Sequence, residues 1–146
     1  MRGVVTLVAA CVLLSAAGSA EARSGFPWRE RTSAYGHLSL SFTVDRITVG
    51  ANRWSAALTI RNWDVALALH EDFALVTARG GQLPVTRAVP PLPETFGARS
   101  TWRGTIGGPG VPPHGSSVRL RLGTFRAVTA PNLFIRYVTR HAYDVP

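Results

Sequence analysis

Apolar and polar residues alternate along much of the chain, most sharply in Arg53–Asn62. There Trp54, Ala56, Leu58 and Ile60 fall on one side, and Ser55, Ala57, Thr59 and Arg61 on the other. A period of two marks a strand with one face in a core and one in water, and Asn62 closes the run with a turn-prone residue. Leu38, Leu40, Phe42 and Val44 show the same pattern upstream, but after Asp45-Arg46 the apolar positions change parity to Ile47 and Val49. A slip of one residue would turn the core face outward, so the spacing predicts a β-bulge or short break at Asp45–Arg46. Gly50-Ala51-Asn52 then supplies a hairpin turn into the Arg53–Asn62 strand.

The rest of the chain continues in short alternating runs. Val65, Leu67 and Leu69 alternate, although their alanine and leucine content also suits a helical turn. Phe73–Ala78 reads as a short strand, and Gly80-Gly81 as the tight turn of a second hairpin. Pro90–Gly97 is expected to be a long crossover, because proline cannot donate to a ladder. Thr101–Ile106 is a strand, and Gly107–Gly115 reads as a Gly/Pro loop. Val118, Leu120 and Leu122 alternate with Arg119 and Arg121. Ala130-Pro131-Asn132 reads as a turn into a last strand, Leu133–His141. Residues 23–36 show no periodicity and read as a flexible or loosely docked lead, whose Phe26, Pro27 and Trp28 pack onto the domain or touch a membrane headgroup layer or a partner. The expectation is an all-β antiparallel sandwich over residues 37–146, with about seven to nine strands and Greek-key crossovers.

The stretch from Ile47 to Phe125 resembles the immunoglobulin-like domains of bacterial extracytoplasmic proteins. The likeness is carried by Trp54-x-Ala-x-Leu-x-Ile-x-Asn62, by Phe73-Ala-Leu-Val-x-Ala-x-Gly80, and by the Pro/Gly-rich segment before Val118-x-Leu-x-Leu. It implies an adhesion, envelope-binding or accessory module. The chain departs from antibody-type domains in having no core cysteine pair.

The N-terminus changes the compartment. Met1-Arg2 is a short positive region, Gly3–Ala17 is small and apolar, and small residues at Gly18, Ala20 and Ala22 fit cleavage after Ala20 or Ala22. Residues 1–22 therefore read as a secretory signal peptide. The apolar run is shorter than the roughly 20 residues a spanning helix needs, so no stable membrane span is expected after cleavage. The single cysteine, Cys11, lies in this segment. Val8-Ala9-Ala10-Cys11 is a faint lipoprotein pattern, but apolar Val12-Leu13-Leu14 follows where a polar start is needed. The mature chain is thus secreted or extracytoplasmic and has no disulfide.

The formal net charge is +8, and all 16 basic residues are arginine. An arginine-only chain fits both a GC-rich genome and bidentate anion binding. Arg119 and Arg121 share one strand face, and Arg136 and Arg140 share another. If the two strands lie in one sheet, they make a plate for an anionic cell-envelope component or an acidic protein. Solvent-facing charges that resist edge aggregation account for the same positions. Trp54 and Trp102 read as core, and Trp28 and Trp63 at turns read either as a cap on the sandwich edge or as exposed aromatics available for contact with sugar or peptide. Nucleic acid is not expected as a partner of an exported chain, and the chain reads as a monomer.

Candidate chemistry is sparse. His37, His70, His114 and His141 lack ligand spacing, and in His70-Glu71-Asp72 only His70 and Asp72 point the same way on an extended chain. No metal and no cofactor is expected. There is no Gly-x-Ser-x-Gly elbow, no cysteine nucleophile after cleavage, and no phosphate-binding glycine loop leading into a helix. An enzyme would require the fold to gather His70, Asp72 or Glu94 in a cleft. The sequence points instead to a non-catalytic binding or structural module of the cell envelope. The alternative is a small secreted inhibitor that presents Pro90–Gly97 or Gly107–Gly115 to an enzyme.

Overall fold

The computed structural model describes residues 25–70 and 72–146. The signal segment, residues 1–22, and Glu71 of the His70-Glu71-Asp72 cluster lie outside the described residues. In chain order the strands are β1 (Trp28–Ala34), β2 (Leu38–Val49), β3 (Arg53–Asn62), β4 (Leu67–His70), β5 (Ala74–Thr77), β6 (Gln82–Pro84), β7 (Arg87–Val89), β8 (Thr95–Phe96), β9 (Thr101–Pro109), β10 (Ser117–Ala127), β11 (Ala130–Val138) and β12 (Tyr143–Asp144). They form two antiparallel sheets. Sheet A has the order β1-β2-β3-β9-β7; sheet B has the order β6-β5-β10-β4-β8, with β11 and β12 also on β10. Among the described residues no helix is long and apolar enough to cross a membrane.

Sheet B is built on β10. Its first half pairs with β5 and its second half with β4, so β4 and β5 lie end to end along one side of it. The other side carries β11 and β12. The break between β4 and β5 faces a bulge in β10, where the register against β11 shifts between Arg121 and Thr124. Gly123 sits in the bulge with φ 53°. A Cβ there would come within 2.4 Å of the Phe73 ring and 2.8 Å of the His70 carbonyl oxygen. Gly123→Ala is expected to cost about 2 kcal/mol, combining left-handed strain with overpacking, and a urea unfolding midpoint unchanged from wild type would refute this.

The inward faces meet in one core. Leu40, Phe42, Leu58, Ile60 and Ile106 from sheet A close on Leu67, Leu75, Leu120, Leu122 and Phe125 from sheet B, all almost fully buried. The expected bulge in β2 is present: the register shifts between Val44 and Arg46, with Asp45 as the extra residue. At the end of β3 the chain leaves sheet A at Asn62, which is fully buried. Asn62 Nδ2 donates to the Val65 and Gly97 carbonyls, 2.8 and 3.1 Å, and its Oδ1 accepts from the Asp64 amide, 3.1 Å. This side chain supplies partners to backbone groups at a corner that has no ladder.

Four expectations need correction. Residues 23–36 do not form a flexible lead over their described part: Trp28–Ala34 is an edge strand of sheet A, joined to β2 through Tyr35, Gly36 and His37. Its alternation is hidden because one inward position is the carboxylate Glu30 and the next is Thr32, while Arg29, Arg31 and Ser33 face out. The sandwich therefore begins before residue 37. Trp28 is not an exposed aromatic: it is fully buried, stacked between Phe26, centroids 4.7 Å apart, and His141, 5.5 Å apart. β9 continues through Gly107–Pro109, because those residues pair with Arg53–Ser55. The final hairpin turns at Val128-Thr129, earlier than expected, and a register shift after Arg126 leaves Pro131 outside the ladder, where its missing N–H does no harm.

Candidate functional site

The expected arginine plate assembles in part on the outer face of sheet B. Arg119 and Arg121 point outward from β10 and Arg136 from the paired β11. Arg121 Nε donates to the Asp72 carbonyl, 2.9 Å. Thr124 Oγ1 donates to Asp72 Oδ2, 3.0 Å, and accepts from Arg136 Nε, 3.3 Å. Two of the arginines are thus tied around the break between β4 and β5. Arg140 lies past the end of β11 and does not join the plate; its charge acts on the Tyr137 hydroxyl at the seam between the sheets.

That seam holds a compact polar cluster. Glu30 reaches from β1 toward the end of β11. Its Oε1 accepts from Tyr137 Oη, 2.6 Å, and from the Arg140 amide, 2.6 Å; its Oε2 accepts from the His141 amide, 3.0 Å, and lies 2.6 Å from His141 Nδ1. Burial alone pushes the Glu30 carboxyl up, but hydrogen bonds from Tyr137, the two amides and His141 outweigh it and hold the group below its ordinary value. Tyr137 is pushed up to about 12, first by burial and then by its hydrogen bond to Glu30. A hydroxyl that keeps its proton this firmly is a poor base or nucleophile at neutral pH. The cluster clamps the edges of the two sheets together.

The outer face of sheet A is more extensive and was missed in the sequence. One row across the strands runs Arg29–Thr43–Thr59–Arg103, and the next runs Arg31–Ser41–Arg61–Thr101. Arg46, Arg53 and Arg87 occupy outward positions toward the other end. An open groove of about 680 Å³ lies there across β3, β9 and β7, with Arg53 and Arg87 beside Ser55, Thr105 and Gly107. Among the described strand residues of this face the carboxylate is the bulge residue Asp45. Among the described residues the only side-chain ion pair is Glu30 with His141, so none of these guanidinium groups is paired with an acid there. Arg-x-Arg at 29 and 31, together with Arg53, Arg61 and Arg103 at outward parity, was the available signal. It becomes informative only once β1 is known to be a strand.

Trp63 stands at the edge of this face, 44% exposed. Its Nε1 donates to Ser41 Oγ, 2.9 Å, and its backbone amide to the Ser39 carbonyl, 2.9 Å. The Arg61 guanidinium carbon is 4.2 Å from the ring centroid and that of Arg31 is 5.6 Å away.

The candidate enzyme residues do not line the groove, and among the described residues no three His, Cys, Asp or Glu side chains are grouped to hold a metal. Both Pro-rich segments are anchored. The Pro91 carbonyl accepts from Trp102 Nε1, 3.3 Å, the Glu94 carbonyl from the Leu69 amide, 2.8 Å, and the Gly110 amide donates to the Asn52 carbonyl, 2.9 Å. Fold and surface together define a two-sheet antiparallel β domain with a basic, hydroxyl-bearing outer face. Comparison with family models, with curated proteins and with solved structures found no match.

Proposed function

We propose that the chain is a secreted, non-catalytic module with an immunoglobulin-like sandwich, attached to an anionic component of the cell envelope through the outer face of sheet A. The observation that carries the reading is the set of outward arginines on that face that have no acid partner among the described residues. Guanidinium groups interleaved with Ser and Thr hydroxyls offer charge-assisted, often bidentate hydrogen bonds to carboxylate or phosphate. The order β2-β3-β9-β7 against β4/β5-β10-β11 supports the immunoglobulin-like assignment, since it parallels the A-B-E-D and C-F-G pairing of such domains. Residues 1–22 support export.

The test is retention of the chain, from Arg23 onward, on isolated envelope fractions. Arg29 and Arg103 are exposed and sit in one row. The double variant Arg29→Glu/Arg103→Glu is expected to weaken retention by about tenfold or more at low salt, with a smaller deficit near 0.15 M, where screening acts over about 8 Å. Arg119→Glu, on the opposite face, is expected to leave retention near wild type. A loss with Arg119→Glu and none with the double variant would move the contact to sheet B. No loss with either would overturn an arginine-mediated attachment.

A further inference from the structure

We infer that Trp63, Arg31 and Arg61 form a binding site for an acidic saccharide, a sugar chain bearing ring carboxylates. This rests on the reading of the sheet A face as the anion-binding face and names the chemistry of what it takes. Three observations converge on it. First, the indole is large, partly exposed and fixed in place. Its Nε1 is held by Ser41 and its backbone amide by Ser39, so little rotamer entropy remains to be lost on binding. Second, two guanidinium groups lie against the ring, at 4.2 and 5.6 Å. Arg61 is held in turn by Nη1 donating to Thr101 Oγ1, 2.9 Å, and Arg31 Nη2 donates weakly to Ser39 Oγ, 3.4 Å. Third, the surrounding row contributes hydroxyls from Ser41 and Thr101 and no carboxylate.

A uronic acid matches each part. The C–H face of a pyranose carries slight positive charge and packs on an aromatic surface, here the part of the indole that the two guanidinium groups leave exposed. Its ring-edge carboxylate accepts from guanidinium donors, and its hydroxyls exchange hydrogen bonds with Ser and Thr. Arg31 and Arg61 are separated by one strand, so their backbones stand roughly 10 Å apart, and both guanidinium groups border the exposed part of the indole, where a ring carboxylate can reach them. A phosphate chain would use the arginines but not the indole. A neutral sugar would use the indole but not the arginines.

The experiment measures binding of three probes, an oligogalacturonate, an inorganic polyphosphate chain and a neutral oligosaccharide of matched length, to wild type, Trp63→Ala, Trp63→Phe and Arg29→Glu/Arg103→Glu. Intrinsic tryptophan fluorescence is followed throughout. The expected result is that wild type binds the galacturonate with a change in fluorescence and prefers it to the neutral sugar. Trp63→Ala should then lose about tenfold for galacturonate and change little for polyphosphate, while Trp63→Phe recovers part of the loss. The Phe variant keeps a ring without the Nε1 anchor and so separates a sugar platform from a merely structural indole. Equal loss for both anions in Trp63→Ala, or no loss, would overturn the saccharide site while leaving the anion-binding face intact. Wild type that binds polyphosphate alone would do the same. Wild type that binds neither anion would overturn the face itself.

Discussion

Phe125→Ala is expected to lose about 3–5 kcal/mol of stability, the usual cost of removing a fully buried phenyl group and leaving a cavity. Phe125 is 0% exposed. Its ring meets Phe42 of sheet A at 6.1 Å, Phe73 just before β5 at 6.2 Å and Phe96 of sheet B at 5.8 Å, the last two edge-on. It therefore joins the two sheets directly, and three aromatic contacts disappear with it. Domains of this size carry about 5–15 kcal/mol in total, so the variant should be marginal at 37 °C. Phe125→Leu keeps most of the volume and is expected to lose less than half as much. Urea unfolding followed by tryptophan fluorescence provides the measurement, and a loss below about 1 kcal/mol for the alanine variant would show that the core collapses around the gap.

Glu30→Ala is expected to lose about 3 kcal/mol at neutral pH. The substitution leaves the Tyr137 hydroxyl and the Arg140 and His141 amides facing a site without an acceptor, and stranded donors carry most of the cost. The same cluster sets an acid limit on the fold. The folded carboxyl titrates below its ordinary value of 4.5, so in acid the unfolded chain takes up its proton first. The stabilisation is therefore complete above about 4.5 and is lost as pH falls through the lower, folded value. Wild type should lose stability between pH 6 and pH 3 by more than Glu30→Gln does, because the amide cannot titrate. Parallel acid-induced losses in the two proteins would rule out Glu30 as the acid-sensitive group. Since Glu30 holds β1 to the seam, its loss should also weaken the proposed retention through Arg29 and Arg31.

Much of the sandwich is legible from alternation alone. Leu38–Val44 and Trp54–Ile60 show their buried faces directly, and the parity change at Asp45 marks a bulge that is present. β1 is not legible in that way, because its inward positions include a carboxylate, and an inward Glu resembles a solvent position until its partners are known. Those partners, Tyr137, Arg140 and His141, lie more than a hundred residues away. The error at Trp28 follows from the error at β1. Trp63 is 44% exposed, and its neighbours Arg31 and Ser41 reach it only through the β1–β2–β3 pairing.

The sequence by itself determined the strand period of β2 and β3, the turn between them and the all-β class, because each depends on side-chain spacing and backbone preference within a few residues. It also determined that the chain is strongly basic and carries its basic charge on arginine alone. Only the tertiary structure decided where that charge gathers. Parity gives each arginine a side of its own strand, while strand order and register decide which strands share a face. Those depend on pairings between distant segments such as β3 with β9, and they gathered the most extensive arginine surface without acid partners among the described residues on sheet A.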